Sequence, residues 1–365
     1  VSVLAPKIGK NLSNWRGGRR SGLPVTVVST LLGAALILGA CGSEPPARPV
    51  KAEVGFAMGA GTGSLDDDAL ARTLDGVAAS GASWIRIDFD WSGIEPQPGL
   101  FVWEPTDRVV EAAHARGIEI LGIVTYTPPW ARPDGSSDKH PPLSNDDWAA
   151  FVAAVGDRYA SDVTHWEIWN EPNHAPFWEG GIDAARYAQL VNIASPLLRS
   201  AGPGSFIISG GLSPATDDSP STSPETFIDQ FLPLVDAGAI DAVGVHPYSY
   251  PVLPASETPG WNTFGRLPKM KDLIDSHQSG LSLWLTEFGA PTSEVSADRQ
   301  AASIAEAISC ATRWEWAGPL FVYTWTDRDD EFFGVVEADG DPKVAAEELR
   351  RLTGGDTSAA DCPLN

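Results

Sequence analysis

Two glutamates occupy positions from which a carboxyl group can do chemistry. Glu171 ends the run Thr164-His165-Trp166-Glu167-Ile168-Trp169-Asn170-Glu171-Pro172-Asn173, and Glu287 ends Leu283-Trp284-Leu285-Thr286-Glu287-Phe288-Gly289. In each, an apolar strand-like segment runs into a carboxylate and then into a residue that stops the ladder, a proline or a glycine. A glutamate at the end of a buried strand is costly unless it is hydrogen-bonded or used. Two such carboxyls suit one reaction type well, in which one gives a proton to a leaving oxygen while the other attacks or activates water. Strand alternation places His165, Glu167 and Trp169 on one face of the first run and Trp166, Ile168 and Asn170 on the other. The ordinary alternative for either glutamate alone is an ion-paired carboxylate on a rim.

Elements that could hold both are visible along the chain of 365 residues. Apolar runs at 54–58, 84–89, 118–125, 165–169, 206–209, 242–245, 281–285 and 320–325 alternate with amphipathic segments at 65–79, 106–116, 145–159, 182–200, 224–237, 267–276, 297–314 and 342–352. Such alternation implies parallel strands joined by crossover helices. Caps sharpen several boundaries, with Ser144 ahead of Asp146 and Asp147, and Asp341 before Pro342 at a first helical position. Eight strand-helix units predict an α/β fold of one domain, a (β/α)8 TIM barrel, with catalytic groups at the carboxyl ends of strands. The only glycine-rich candidate for a nucleotide loop, Gly59-Ala60-Gly61-Thr62-Gly63, lacks the spacing and the later acidic residue, and reads as a plain loop.

The Asn170-Glu171-Pro172 strand end and the Thr286-Glu287-Phe288-Gly289 strand end, at the fourth and seventh strands, resemble the acid/base and nucleophile strands of clan A glycoside hydrolases. The segments Tyr126-Thr127-Pro128-Pro129-Trp130 and Phe333-Gly334-Val335 look most like family 39 and the cellulase-like members of family 5. The resemblance implies retaining hydrolysis of O-glycosidic bonds, with Glu171 as acid/base and Glu287 as nucleophile. It implies that Asn170 donates to the sugar 2-hydroxyl, that Arg86 and Tyr248 hold Glu287 ionised and oriented, and that His246 lines the sugar site. It implies that Trp325 forms the floor of that site. Trp130 is a candidate subsite wall, as are Trp91, Tyr126 and Trp178. Arg86 lies inside the apolar run Trp84-Ile85-Arg86-Ile87-Asp88, so a carboxylate partner is required in any case; Asp88 and Asp90 are the local alternatives.

Residues 1–40 carry Lys7, Lys10, Arg16, Arg19 and Arg20, no acidic residue, and an apolar run over 23–40. That is an export signal, and Leu38-Gly39-Ala40-Cys41-Gly42 resembles a lipobox, which makes Cys41 the expected lipidation site and places the enzyme outside the membrane. An uncleaved membrane anchor is the alternative. Residues 41–52 read as a flexible tether, 53–353 as the barrel, and 354–365 as a C-terminal tail. Without the five basic residues of the leader, 20 Lys and Arg face 48 Asp and Glu, a net charge of −28. Nucleic acid is excluded by that balance, and neutral polymers remain as substrates. The 14 tryptophans suit stacking on sugar faces, although at least half are expected in the core. No metal-ligand spacing appears and no cofactor is expected. Cys310 and Cys362 remain as a disulfide pair in an oxidising compartment.

The sequence therefore predicts a lipid-anchored retaining glycosidase with a carbohydrate substrate. Two rivals are a transglycosylase remodelling cell-envelope polysaccharide, which shares every residue, and a carbohydrate-binding lipoprotein without activity, which needs neither glutamate.

Overall fold

The computed structural model describes residues 53–59, 61–217, 220–256, 262–328, 331–354 and 362–364. The leader, Cys41, the tether and most of the tail lie outside the described residues. Eight parallel strands close into a barrel in sequence order: β1 (Val54–Ala57), β2 (Trp84–Asp90), β3 (Glu119–Thr125), β4 (His165–Ile168), β5 (Phe206–Ser209), β6 (Ala242–Val245), β7 (Ser282–Phe288) and β8 (Ala317–Val322). Around them run α1 (Asp67–Ala79), a single turn α2 (Trp91–Ile94), α3 (Glu104–His114), α4 (Asn145–Tyr159), α5 (Ala184–Ala201), α6 (Pro224–Phe231), α7 (Leu267–His277), α8 (Ala297–Arg313) and α9 (Val344–Thr353). None of the described helices is long and apolar enough to cross a membrane.

Local chemistry accounts for most boundaries. Asp66, Ser144, Asp183, Ser223 and Ser296 each accept a backbone N–H of the first turn that follows, which satisfies donors a helix start leaves open. The last helix differs from expectation. It begins at Val344, not at Pro342, because Pro342 bridges Val336 and the Lys343 N–H donates to Val335 O, holding that stretch extended.

Two layers of packing position the site. The outward faces of the strands and the helices form one continuous apolar shell. Inside the barrel, Ala57, Trp84, Leu121, Ile208, Ala242, Trp284 and Phe321 form a separate cluster. Trp84 meets Trp284 edge-on at 5.7 Å, and His165 stacks on Trp284 at 5.4 Å. This aromatic layer fills the barrel beneath the polar residues one strand step higher, as the layered interior of such barrels requires. Among the described residues nine tryptophans are buried, Trp91, Trp148, Trp166, Trp169 and Trp178 among them, so most of the indole surface described belongs to the core. Cys310, in α8, is joined to Cys362 with a Cα–Cα distance of 4.8 Å, which fixes the chain terminus to the barrel flank.

Candidate active site

Arg86 is the hub. It projects inward from β2 one residue pair above Trp84 and is almost wholly buried. Its Nε and Nη2 donate to Glu167 Oε2 and Oε1 at 2.7 and 2.9 Å, its Nη1 to Glu287 Oε1 at 2.6 Å, and its Nη2 also to Asn170 Oδ1 at 2.7 Å. The planar fork is thus spent on three side chains from β4, the turn after it, and β7. Asp88 and Asp90, the local alternatives, are not its bonded partners: Asp90 caps α2 through Ser92.

Glu167 is the residue that motif reading missed. It is fully buried in mid-strand, and its Oε1 also accepts the Gly211 N–H at 2.6 Å. A signal was present, since an apolar strand carrying a carboxylate and another carrying a guanidinium, both at inward positions, call for one another.

The strand ends are where alternation fails. β4 ends at Ile168, and Trp169, with φ 68°, and Glu171, with φ 47°, adopt the left-handed region. Trp169 thereby leaves the barrel interior, its Nε1 donating to Phe177 O and its ring packed against Trp178. Asn170, assigned by alternation to the face opposite Glu167, turns inward and meets Arg86. Because Arg86 takes Oδ1, the amide presents Nδ2 to the open side of the site. Non-glycine residues in this region of backbone space are strained and concentrate at functional sites; Tyr126, with φ 63°, is the third among the described residues.

β7 solves the same problem differently. Strict alternation would put Glu287 on the outward face with Leu283 and Leu285. Against β8, however, Leu285 pairs with Leu320 and Phe288 with Val322, so three steps on β7 match two on β8. This bulge returns Phe288 to the outer shell and turns Glu287 inward. Its Oε2 accepts from Tyr248 Oη at 2.9 Å, leaving the carboxylate held by one bond on each oxygen.

His246, at the end of β6, stands with Nδ1 2.8 Å from Glu171 Oε1 and 3.6 Å from Glu287 Oε2. It comes this close because Gly211 has no side chain: a Cβ there would lie 2.1 Å from His246 Nε2. One oxygen each of Glu171 and Glu287 and a ring nitrogen of His246 all fall within 4.8 Å of one another. Among the described residues they are the group that could ligate a cation, and the arginine already bonded to Glu287 would compete with it.

Burial opposes ionisation of Glu287, but His246, Arg86 and the Tyr248 hydroxyl together outweigh it and hold the carboxyl below its ordinary range. Tyr248 is driven up, first by burial and then by the Glu287 charge, so it remains a donor. Burial also raises Asp88, to about 6, against the pull of Arg86.

Trp325 does not form the floor of the site. Pairing ends at Val322, so the period of two does not extend to it, and its ring packs edge-on against Phe56 at 5.0 Å in the outer shell. Gly76 of α1 leaves the room, since a Cβ there would sit 2.3 Å from Trp325 Cζ2. The aromatic residues beside Glu287 are instead Tyr323 and Phe333, 5.4 Å apart, with Phe333 5.9 Å from Tyr248. Trp130 is half-buried, its Nε1 bonded to Glu95 O and its ring edge-on to Trp91 at 5.5 Å. Trp91 and Trp178 are core residues, and Asp327 is bonded to Lys343 and the Gly334 N–H.

Comparison with known proteins agrees with this geometry. The family model described as Cellulase (glycosyl hydrolase family 5) matches residues 54–318. No curated protein sequence matches the chain. Among solved structures, a family 39 glycoside hydrolase from Bacteroides cellulosilyticus WH2 is similar with a TM-score of 0.65 and 24% identity, over 85% of this chain and 64% of that one. A monomeric beta-xylosidase from Caulobacter crescentus CB15 gives 0.67 and 18% identity over 83% and 68%. GH5_18 from Streptomyces cattleya, in complex with GlcNAc, gives 0.67 and 17% identity over 85% and 82%. The chain therefore spans less than two thirds of the first of these proteins, and at such identities the likeness is one of fold.

Proposed function

The chain belongs to the cellulase family, glycosyl hydrolase family 5, and from that premise we propose that it is a retaining glycoside hydrolase acting outside the membrane on a neutral, β-linked polysaccharide or glycoconjugate. The observation that carries the mechanism is the approach of the two carboxylates, an oxygen of Glu171 and one of Glu287 lying within 4.8 Å. Retaining enzymes hold the pair about 5 to 5.5 Å apart, whereas inverting ones leave roughly 6.5 to 9.5 Å for a water.

Glu287 Oε attacks the anomeric carbon as the bond to the leaving oxygen breaks, and the Glu171 carboxyl gives that oxygen its proton. The resulting glycosyl ester on Glu287 is then opened by water. Glu171, now a carboxylate, takes the water's proton as the oxygen bonds to the anomeric carbon and Glu287 leaves. Arg86 and Tyr248 keep Glu287 charged and aimed, while Asn170 Nδ2 faces the position of a sugar 2-hydroxyl, a contact that strengthens in the transition state. His246 lies between the two carboxylates and orients Glu171.

Glu287→Ala is expected to lower turnover of an aryl β-glycoside by at least about 10³-fold and to regain part of it with azide, which fills the place of the lost carboxylate and yields a glycosyl azide. Unchanged turnover in Glu287→Ala overturns the assignment. The leader pattern supports attachment through an acyl chain on Cys41. Palmitate labelling of cells expressing the protein is expected to mark the wild type and not Cys41→Ser.

A further inference from the structure

The start of α9 breaks three local rules at once. Its capping residue is Lys343, whose side chain makes no capping bond, at a position where serine, threonine, asparagine or aspartate would satisfy an open N–H. A cation there also meets the positive end of the helix dipole. The residue is only 8% exposed, so its charge is withdrawn from water as well. A residue that fits its own element this badly has a task elsewhere in the fold.

Lys343 Nζ reaches two segments at the catalytic end of the barrel. It donates to Asp327 Oδ2 at 2.7 Å, and Oδ1 of the same carboxylate accepts the Gly334 N–H at 2.7 Å. It also donates to Thr292 Oγ1 at 3.1 Å, while the Thr292 N–H is bonded to Phe332 O at 2.9 Å. The ammonium thus ties the segment after β8 to the segment after β7, with the main chain fixed on both sides of Phe333. Gln300 of α8, fully buried, closes the same frame, its Nε2 donating to Ala290 O at 3.0 Å and to Phe333 O and Gly334 O at 3.3 and 3.2 Å. What the frame holds is the Phe333 ring, edge-on to Tyr248 at 5.9 Å and to Tyr323 at 5.4 Å. That ring fits over Gly289, two residues past Glu287, where a Cβ would lie 3.1 Å from Phe333 Cδ1. Tyr248 is in turn the residue whose hydroxyl aims Glu287.

We propose that Lys343 is a positioning residue for the nucleophile: by bonding Asp327 and Thr292 it sets Phe333 against Tyr248, and so keeps the Tyr248 hydroxyl on Glu287. The proposal rests on the glycosidase reading above. Lys343 touches neither carboxylate of the pair, and its effect on the reaction passes through packed side chains that leave Tyr248 one place to stand. A lysine kept only to fasten the loops would raise stability and leave turnover of the folded protein as it is.

The test uses the full chain and 4-nitrophenyl β-glucoside, β-xyloside and β-mannoside, with rates taken well below the unfolding temperature of every variant. On the glycoside that the wild type cleaves, Lys343→Met is expected to lower kcat about tenfold or more with KM within about threefold, because alignment is lost and sugar contacts are not. A double-mutant cycle separates positioning from stability. In a Tyr248→Phe background, where no hydroxyl is left to aim, Lys343→Met is expected to change kcat by less than about threefold. An equal factor in both backgrounds, or a Lys343→Met kcat within about threefold of the wild type, overturns the proposal. Lys343→Met leaves the Asp327 charge buried and unpaired, which threatens folding; Lys343→Met/Asp327→Asn removes both charges and keeps an Oδ1 acceptor for the Gly334 N–H. The same loss of kcat and the same cycle are expected of it, and wild-type kcat in that variant reduces Lys343 to a fastening. If the wild type cleaves none of these glycosides, the glycosidase reading fails separately, and crystal structures of the wild type and of Lys343→Met/Asp327→Asn decide. A displaced Phe333 with the Tyr248–Glu287 bond lost supports the positioning role, and an intact bond overturns it.

Discussion

Replacing Arg86 by methionine removes a cation that serves two purposes, and these can be measured apart. Glu167 is fully buried and would be left with the Gly211 N–H as its only donor, an uncompensated charge of the kind that costs about 3–5 kcal/mol. For a domain of about 300 residues the unfolding entropy is roughly 0.6 kcal/mol per degree, so Tm should fall by about 5–8 °C. Catalysis loses the bonds to Glu287 and Asn170, each a charge-assisted contact of about 1.5–3 kcal/mol, which together correspond to about 10²–10⁴ in kcat/KM. The double variant Arg86→Met/Glu167→Leu separates the two effects. With the orphaned charge replaced by an apolar side chain of similar volume, most of the stability should return, while activity should stay low because Glu287 and Asn170 still lack their donor. Scanning calorimetry and initial rates on the same preparations are sufficient. An Arg86→Met Tm within about 1–2 °C of wild type would refute the electrostatic argument, and recovery of activity in the double variant would reduce Arg86 to a structural role.

Three further outcomes are expected. Glu287 has a depressed folded-state pKa, so its stabilising contribution is present above the ordinary carboxylate range and is lost as pH falls through the folded value; the acidic limb of kcat/KM should lie below the ordinary value of 4.5 and move upward in Tyr248→Phe, which removes one of the groups that lower it. An acidic limb that stays in place in Tyr248→Phe counts against that role. Gly76→Ala should destabilise the domain by about 1–3 kcal/mol, because its Cβ collides with Trp325, yet leave kcat within about threefold, and a large loss of kcat without loss of Tm would return Trp325 to the sugar site. Cleaving the Cys310–Cys362 bridge, which closes a separation of 52 residues, should cost about 2–4 kcal/mol, seen as a lower Tm for Cys362→Ser, with kinetics unaffected; an identical Tm would show that the bridge constrains nothing.

What the sequence by itself determined is local. Runs of apolar residues with Gly, Pro and capping residues between them specify strands and helices, and eight alternating pairs admit one closed solution. The end of β7 just after Glu287 likewise follows from Gly289, whereas β4 ends at Ile168, ahead of the stop that Pro172 sets. The direction in which each site residue points was decided by the tertiary structure, because the period of two holds only while a strand remains paired. Glu287 faces inward through a bulge against β8, and Asn170 faces inward because Trp169 takes a left-handed conformation; neither departure is written in the residues concerned. Trp325 shows the same limit from the other side, since pairing ends three residues before it and a vacancy at Gly76 in α1 sets where its ring goes. The partnership of Arg86 with Glu167 spans 81 positions of sequence, and nothing near either residue names the other. Charge burial makes a partner obligatory for each, but only the pairing of β2 and β4 on either side of β3, with both side chains turned inward, brings those charges to the distance at which they meet.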